Sequence, residues 1–204
     1  MKSFVVGVAG GSGSGKSTLA FGLCESLPSK VMIFHMDDYF RPADEIPKRA
    51  GMPNWDDPRS LYYSKMAKDL ADLKAGKSVT INTKSPDLNP DFLRTGQRIP
   101  VKFNPQPVII VEGFLALYYP KIRKLLDLSV YLDAPFQTHV ERRIHSSLRL
   151  GNFPPDYRRL VLRPMHDRYV APSKVQADVV VNVAKLNQKQ VLDKVTPLIA
   201  ARIT

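Results

Sequence analysis

The sequence predicts an α/β fold in which a central parallel sheet carries helices on both faces. Three observations lead there. Short, nearly uninterrupted apolar runs recur at 4–9, 31–36, 107–111, 128–132 and 177–183, the pattern of strands buried on both sides. Stretches with apolar residues at helical spacing lie between them, the order that crossover connections of parallel strands require. The first run passes directly into Gly10-Gly11-Ser12-Gly13-Ser14-Gly15-Lys16-Ser17-Thr18, which satisfies G-x-x-x-x-G-K-[ST] from Gly10 to Ser17. Together they specify a P-loop three-layer sandwich, with a small β-hairpin and a helical lid added to it.

The phosphate loop owes its chemistry to its residue types. Glycines let successive backbone N–H groups turn inward around phosphate oxygens without Cβ clashes. Lys16 would reach the β- and γ-phosphates, and Ser17 would place its hydroxyl on Mg²⁺. The helix expected from Lys16 to Leu27 adds the positive end of its dipole to the same spot. A glycine-serine stretch is more often a flexible linker, but linkers do not sit between a buried strand and an amphipathic helix.

At 204 residues the chain fits one domain over 1–204 with a full core. Its 44 % apolar and 24 % charged composition is that of an ordinary globular protein. Met1-Lys2-Ser3 followed by a short strand lacks the pattern of a secretory leader, and no long charge-free apolar run occurs, so a cytoplasmic location without membrane contact is expected. The lone Cys24 reads as a small residue on the apolar face of the first helix. The net charge of +11 suits either a nucleotide triphosphate or a nucleic acid. No dense Lys/Arg block with interleaved aromatics is present, so nucleic acid is not the expected partner. Association into a homo-oligomer is compatible with the sequence and not readable from it.

The strand Val31 to Met36 ends on Asp37-Asp38-Tyr39-Phe40. Carboxyl ends of parallel strands face the ligand crevice, so both acids should look toward whatever the phosphate loop holds. One can orient Mg²⁺-bound water or accept a proton from an attacking hydroxyl, and the other can cap the following turn. Residues 41–58 are rich in Pro, Gly and charge and read as an irregular crossover. Asp57-Pro58 is a good helix start, with the acid as N-cap, for a helix expected over 59–73 and stopped by Gly76. That leaves Asp56, beside the single Trp55, without a structural task.

Alternation over 77–83 and 97–103 predicts a β-hairpin within 76–105, placed over the acceptor site. The next buried strand ends at Glu112-Gly113, where P-loop proteins place a carboxylate that meets Mg²⁺ directly or through water. A helix is expected around 118–126, a strand over 128–133, and a helix over 135–150 carrying Arg142 and Arg143 into the breaker-rich Gly151-Asn152-Phe153-Pro154-Pro155. The span 142–160 is read as the lid. Exposed helical arginines are ordinarily solvated, but phosphoryl transfer also needs cations to cover charge on the γ-phosphoryl group. A helix through Tyr157 to Ala171, a last strand over 177–183 and a helix over 187–202 complete the chain.

A P-loop is shared by kinases, GTPases and motor ATPases, so the fold does not name the reaction. The guanine-reading N/T-K-x-D motif is absent, since Thr83-Lys84-Ser85-Pro86 has proline where the acid belongs. Motor ATPases are larger. The chain resembles uridine kinases over nearly its whole length, through Gly7 to Thr18, Asp37-Asp38-Tyr39-Phe40, Asn54-Trp55-Asp56-Asp57-Pro58, Val111-Glu112-Gly113-Phe114-Leu115 and Pro172-Ser173-Lys174 with Ala177-Asp178. The first two motifs, the Glu-Gly-Phe-Leu element and Arg163-Pro164-Met165 also resemble nicotinamide riboside kinases.

The resemblance implies ATP- and Mg²⁺-dependent phosphorylation of a nucleoside 5′-hydroxyl. Asp37 would be the base, Glu112 would assist the metal with Ser17, and Asp56 would hold the ribose 2′- and 3′-hydroxyls. Tyr39 would contact the substrate, and Arg142 and Arg143 would contact phosphoryl charge or sugar. The chain departs from uridine kinases at Thr83 to Asn89, which lacks their Tyr and His, and at Ser146 to Gly151, which lacks their Arg-Gly-Arg. The reading of a different class is a nucleotide switch or nucleic-acid-dependent ATPase.

Overall fold

The computed structural model describes residues 2–85, 87–146 and 154–203, without the side chains of residues 143–146. The central sheet is built from β1 (Phe4–Gly10), β2 (Val31–His35) and three later strands, described below with their chain positions. Two two-stranded ladders lie apart from it: β3 (Lys48–Arg49) with β4 (Met52–Pro53), and β5 (Val79–Thr83) with β6 (Ile99–Phe103). The later strands are β7 (Val108–Glu112), β8 (Leu128–Asp133) and β9 (Val179–Asn182). The sheet runs β2-β7-β1-β8-β9 with every pairing parallel.

Each strand of a parallel sheet sends alternate side chains to opposite faces, so two cores form. On one face Val6, Val8, Ile110 and Val130 meet Leu19 and Leu23 of α1 (Lys16–Ser26) and Val191, Val195 and Ile199 of α8 (Gln188–Ile203). On the other, Val5, Phe34, Ile109 and Val111 meet Met66, Leu70 and Leu73 of α2 (Tyr63–Lys74). Cys24 of α1 is half-buried and in no disulfide, and burial raises its thiol pKa.

The remaining helices are shorter than α2 and α8. They are α3 (Phe92–Thr95), α4 (Pro120–Arg123), α5 (Phe136–Ser146), α6 (Pro155–Tyr157) and α7 (Arg163–Met165). The π-helical turns Arg158–Leu162 and His166–Val170 and the 3₁₀ turn Ala171–Gln176 continue α6 and α7 into one helical run. The helix expected over 118–126 is confined to α4, because Pro120 occupies its first turn and has no N–H to extend it backward. The helix expected from Arg59 is split: Pro58–Ser60 is a 3₁₀ turn capped by Asp57, and α2 begins at Tyr63.

The hairpin expected within 76–105 is β5–β6, antiparallel from Val79↔Phe103 to Thr83↔Ile99. The motif ending in Ala177-Asp178 is a sheet staple: Asp178 Oδ2 accepts from the N–H and the hydroxyl of Ser129 and sets the start of β9 against β8. Of the lid span 142–160, residues 147–153 lie outside the described residues. Among the described residues no helix is long and apolar enough to cross a membrane.

Candidate active site

The glycine loop connects β1 to α1 and is shaped by contacts that only glycine permits. Gly10 has φ 145°, and a Cβ there would lie 2.6 Å from the Leu132 carbonyl oxygen. A Cβ on Gly11 would lie 2.6 Å from the His139 ring, so the loop rests directly on that imidazole. Gly15 takes the N-cap position of α1 in the left-handed region and supplies no side-chain cap, which leaves the first N–H groups of the helix for an anion. Lys16 Nζ donates to the Gly11 carbonyl at 3.0 Å, folded back over the loop. Ser14 Oγ is buried with no hydrogen-bond partner among the described residues, a donor suited to a phosphate oxygen.

Ser12 to Thr18 line a cleft of about 960 Å³, with buried Gly10 and Gly11 beneath it. Asp37, Asp56 and Glu112 line the same cleft, together with Phe40, Trp55, Phe114, Lys84 and Arg142. The acids arrive from three places: the 3₁₀ turn after β2, the crossover before α2, and the end of β7. Phe40 meets Trp55 edge-on at 5.6 Å and lies over Phe114 at 6.3 Å, giving the cleft an aromatic wall.

Ser17 Oγ donates to Glu112 Oε2 at 3.3 Å, so a hydroxyl and a carboxylate, both hard oxygen donors, stand together at the mouth of the loop. Mg²⁺ that is held chiefly by phosphates takes only one or two protein oxygens, and this pair fits that requirement. Among the described residues no group of three or more His, Cys, Asp or Glu is gathered around a single metal position.

The two acids after β2 are divided by their surroundings. Asp37 has a side chain 52 % exposed, with Lys84 Nζ 3.6 Å from its Oδ2. Asp38 is buried and accepts from Thr83 Oγ1 at 2.9 Å and from the Lys84 N–H at 2.8 Å. Burial raises the Asp38 carboxyl above its ordinary value, and those hydrogen bonds offset only part of the effect. Asp38 therefore anchors the hairpin to the turn that presents Asp37, and Arg98 at the foot of β6 adds a bond to the Asp38 carbonyl at 2.6 Å.

Asp56 is buried and accepts from the Tyr157 hydroxyl at 3.1 Å, which ties it to the first turn of α6. Its structural partner thus lies about a hundred residues downstream. Arg142 lines the cleft while its Nη2 donates to the Val183 carbonyl at 2.6 Å. The side chain of Arg143 lies outside the described residues.

Tyr39, expected against the acceptor, is placed elsewhere. Its ring is buried on Phe34 with centroids 5.3 Å apart, and its hydroxyl donates to Asp69 of α2 at 2.9 Å. Burial and the neighbouring Asp69 carboxylate push its pKa well up. Tyr39 is the last residue of the 3₁₀ turn Met36–Tyr39, and its ring joins the core that packs α2 against the sheet.

Sequence reasoning missed Lys84, His35 and Tyr157. Lys84 carries the only visible signal, a cation directly after a strand that points at the site. His35 sits opposite Glu112 in the β2–β7 register, and its Nδ1 is 2.9 Å from Glu112 Oε1. Burial lowers the His35 pKa, but the Glu112 hydrogen bond and charge, with Asp38 and Asp37, outweigh it and leave the pKa raised.

His139 behaves in the opposite way beneath the loop. Burial, the facing His166 at 5.7 Å, and the charges of Lys16 and Arg142 depress it from 6.5 to about 4, against a weaker opposing pull from Asp133. The unfolded chain therefore takes the proton more readily, and acid favours unfolding. The stability is fully present above the ordinary value of 6.5 and is lost as pH falls toward about 4, by up to about 3 kcal/mol. Thermal melts should show a smaller drop in Tm between neutral and acid pH for His139→Leu than for the wild type. Equal drops would remove His139 from the account.

Comparisons with known proteins show the family. Residues 5–190 match the profile of the phosphoribulokinase / uridine kinase family. A uridine kinase of Macrococcus caseolyticus is 30 % identical over 186 residues, covering 88 % of each chain. A uridine kinase of Staphylococcus aureus is 30 % identical over 184 residues, covering 87 % of this chain and 86 % of its own. Among solved structures, a Bacillus stearothermophilus chain described as a possible uridine kinase superposes with TM-score 0.63 at 23 % identity, covering 89 % of this chain and 90 % of its own. Shikimate kinase from Acinetobacter baumannii superposes with TM-score 0.55 at 13 % identity, covering 98 % and 94 %, which shows the shared fold. With residues 5–190 matched by its profile, and with its phosphate loop, Asp37, Asp56 and Glu112 lining one cleft, this chain belongs to the phosphoribulokinase / uridine kinase family.

Proposed function

We propose that the protein transfers the γ-phosphoryl group of ATP to the 5′-hydroxyl of a pyrimidine nucleoside, uridine or cytidine. The observation that carries this reading is the meeting in one cleft of two sets of residues: a phosphate loop with Lys16, Ser17 and Glu112, and Asp37, Asp56 and an aromatic wall. A nucleotide switch needs the first set and has no use for the second.

The loop N–H groups and the start of α1 hold the phosphates, with Ser14 Oγ available to one of their oxygens. Ser17 and Glu112 would hold Mg²⁺, which when bound neutralises charge on the transferred group. Asp56, fixed by Tyr157, accepts the paired ribose hydroxyls, a task suited to a carboxylate with two acceptor oxygens. Asp37 takes the proton of the 5′-hydroxyl as that oxygen attacks phosphorus. Lys16 leaves the Gly11 carbonyl for the β- and γ-phosphate oxygens and covers the charge that spreads over them. Arg142, which lines the cleft, covers charge on the phosphoryl group.

The aromatic wall of Phe40, Trp55 and Phe114 stacks a planar base without reading its edge. Because Thr83 to Asn89 lacks Tyr and His, nicotinamide riboside is the second acceptor to be weighed. A product assay with ATP, Mg²⁺ and a panel of uridine, cytidine, nicotinamide riboside, pantothenate and sugars decides between them. The expected result is nucleoside monophosphate from uridine or cytidine at the highest kcat/KM. Preference for nicotinamide riboside would move the acceptor assignment, and product only from pantothenate or a sugar would overturn it.

A further inference from the structure

The metal carboxylate is not held by the phosphate loop alone. Glu112 Oε2 faces Ser17 Oγ at 3.3 Å, while Glu112 Oε1 is 2.9 Å from His35 Nδ1. The other ring nitrogen, His35 Nε2, is 3.4 Å from Ser85 Oγ, just beyond the hairpin strand β5. A carboxylate only accepts, so Nδ1 must carry the proton, and in the neutral ring Nε2 is then the acceptor for the Ser85 hydroxyl. The arrangement is fixed from below: His35 and Glu112 are cross-strand partners at the ends of β2 and β7, within the central sheet. The His35 side chain is only 15 % exposed and that of Glu112 9 %, so neither is free to reorient at the surface.

We propose that His35 is a positioning residue for Glu112. It holds one carboxylate oxygen so that the other stays turned toward Ser17 and Mg²⁺, and it links that carboxylate to the hairpin through Ser85. The inference rests on the reading of Glu112 as a metal-assisting group, and it is independent of which acceptor is phosphorylated. Partners that orient a metal ligand typically change metal affinity or activity by about 10- to 100-fold when removed. A buried imidazole that merely filled space would have no such effect.

The test measures ADP binding by the whole protein as a function of Mg²⁺ concentration, by calorimetry and without any acceptor, for wild type, His35→Ala, His35→Asn, His35→Gln and Ser85→Ala. For His35→Ala the Mg²⁺ concentration needed for half the gain in ADP affinity should rise about tenfold or more, with metal-free ADP affinity unchanged. Asn places its amide N–H near the Nδ1 position and should recover most of the loss. Gln reaches toward Nε2 and should recover less, and Ser85→Ala should fall between wild type and His35→Ala. If His35→Ala does not fold, the order of Asn over Gln decides. Wild-type Mg²⁺ dependence in His35→Ala, equal loss of metal-free and Mg²⁺-dependent affinity, or Gln recovering more than Asn would each overturn the proposal. Failure of the acceptor panel would end the nucleoside reading and leave these binding results standing.

Discussion

Asp37→Asn should lower kcat by about a hundred- to ten-thousand-fold, the usual range for loss of a general base, while ATP affinity stays near that of the wild type. Asn keeps the size of the side chain and its place in the cleft, and removes only the ability to take a proton. Two features select Asp37 over its neighbour. Its carboxylate is half-exposed to the cleft, whereas Asp38 is buried and occupied by Thr83 and Lys84. A base must meet the acceptor hydroxyl, and only Asp37 is open to it. The matching substitution Asp38→Asn should act differently, by loosening the turn and the hairpin, and should reduce thermal stability. Steady-state kinetics with separate ATP titrations check the first effect. Full turnover in Asp37→Asn would end its assignment as base.

Lys16→Ala should lower kcat/KM for ATP by about a hundred- to a thousand-fold, the typical cost of one charge-stabilising donor at a developing oxyanion. The ammonium group lies inside the loop, 3.0 Å from the Gly11 carbonyl. Exchanging a carbonyl partner for phosphate oxygens strengthens its interaction, since both partners are then charged. Both kcat and ATP affinity should therefore fall, in contrast to Asp37→Asn, where only kcat falls. Lys16→Ala also removes one of the charges that depress His139, so its loss should slightly reduce the acid sensitivity of the fold. Unchanged ATP use in Lys16→Ala would contradict the loop's assigned task.

What the sequence revealed was mostly local. Gly10 to Thr18 is a contiguous stretch whose geometry follows from its own glycines and from the helix it opens. Glu112 was legible because an acid ending a fully buried strand has few structural explanations. The cap at Asp57 followed from Asp-Pro chemistry and appears as expected, accepting from the Arg59 N–H at 2.8 Å. The parts that were not legible are contacts across long separations. Tyr157 meets Asp56 over 101 positions, His35 meets Glu112 over 77, and Thr83 meets Asp38 over 45. No periodicity or local motif encodes such pairs, because they exist only once the crossovers and the hairpin are in place. The placement of Tyr39 was not legible for a related reason: it lies at the end of a 3₁₀ turn that follows β2, and its hydroxyl partner, Asp69, is in the following helix.

The central claim is that the γ-phosphoryl group goes to the hydroxyl of a small molecule and not to water. It is tested most directly by following γ-labelled ATP with Mg²⁺ and uridine and resolving the labelled products. The account predicts label on the 5′-oxygen of the nucleoside in equal amount to the ADP formed, with little free phosphate, and loss of that transfer in Asp37→Asn. Label appearing as free phosphate, stimulated by RNA or DNA and indifferent to Asp37, would contradict it and identify the cleft as that of a nucleotide-hydrolysing switch.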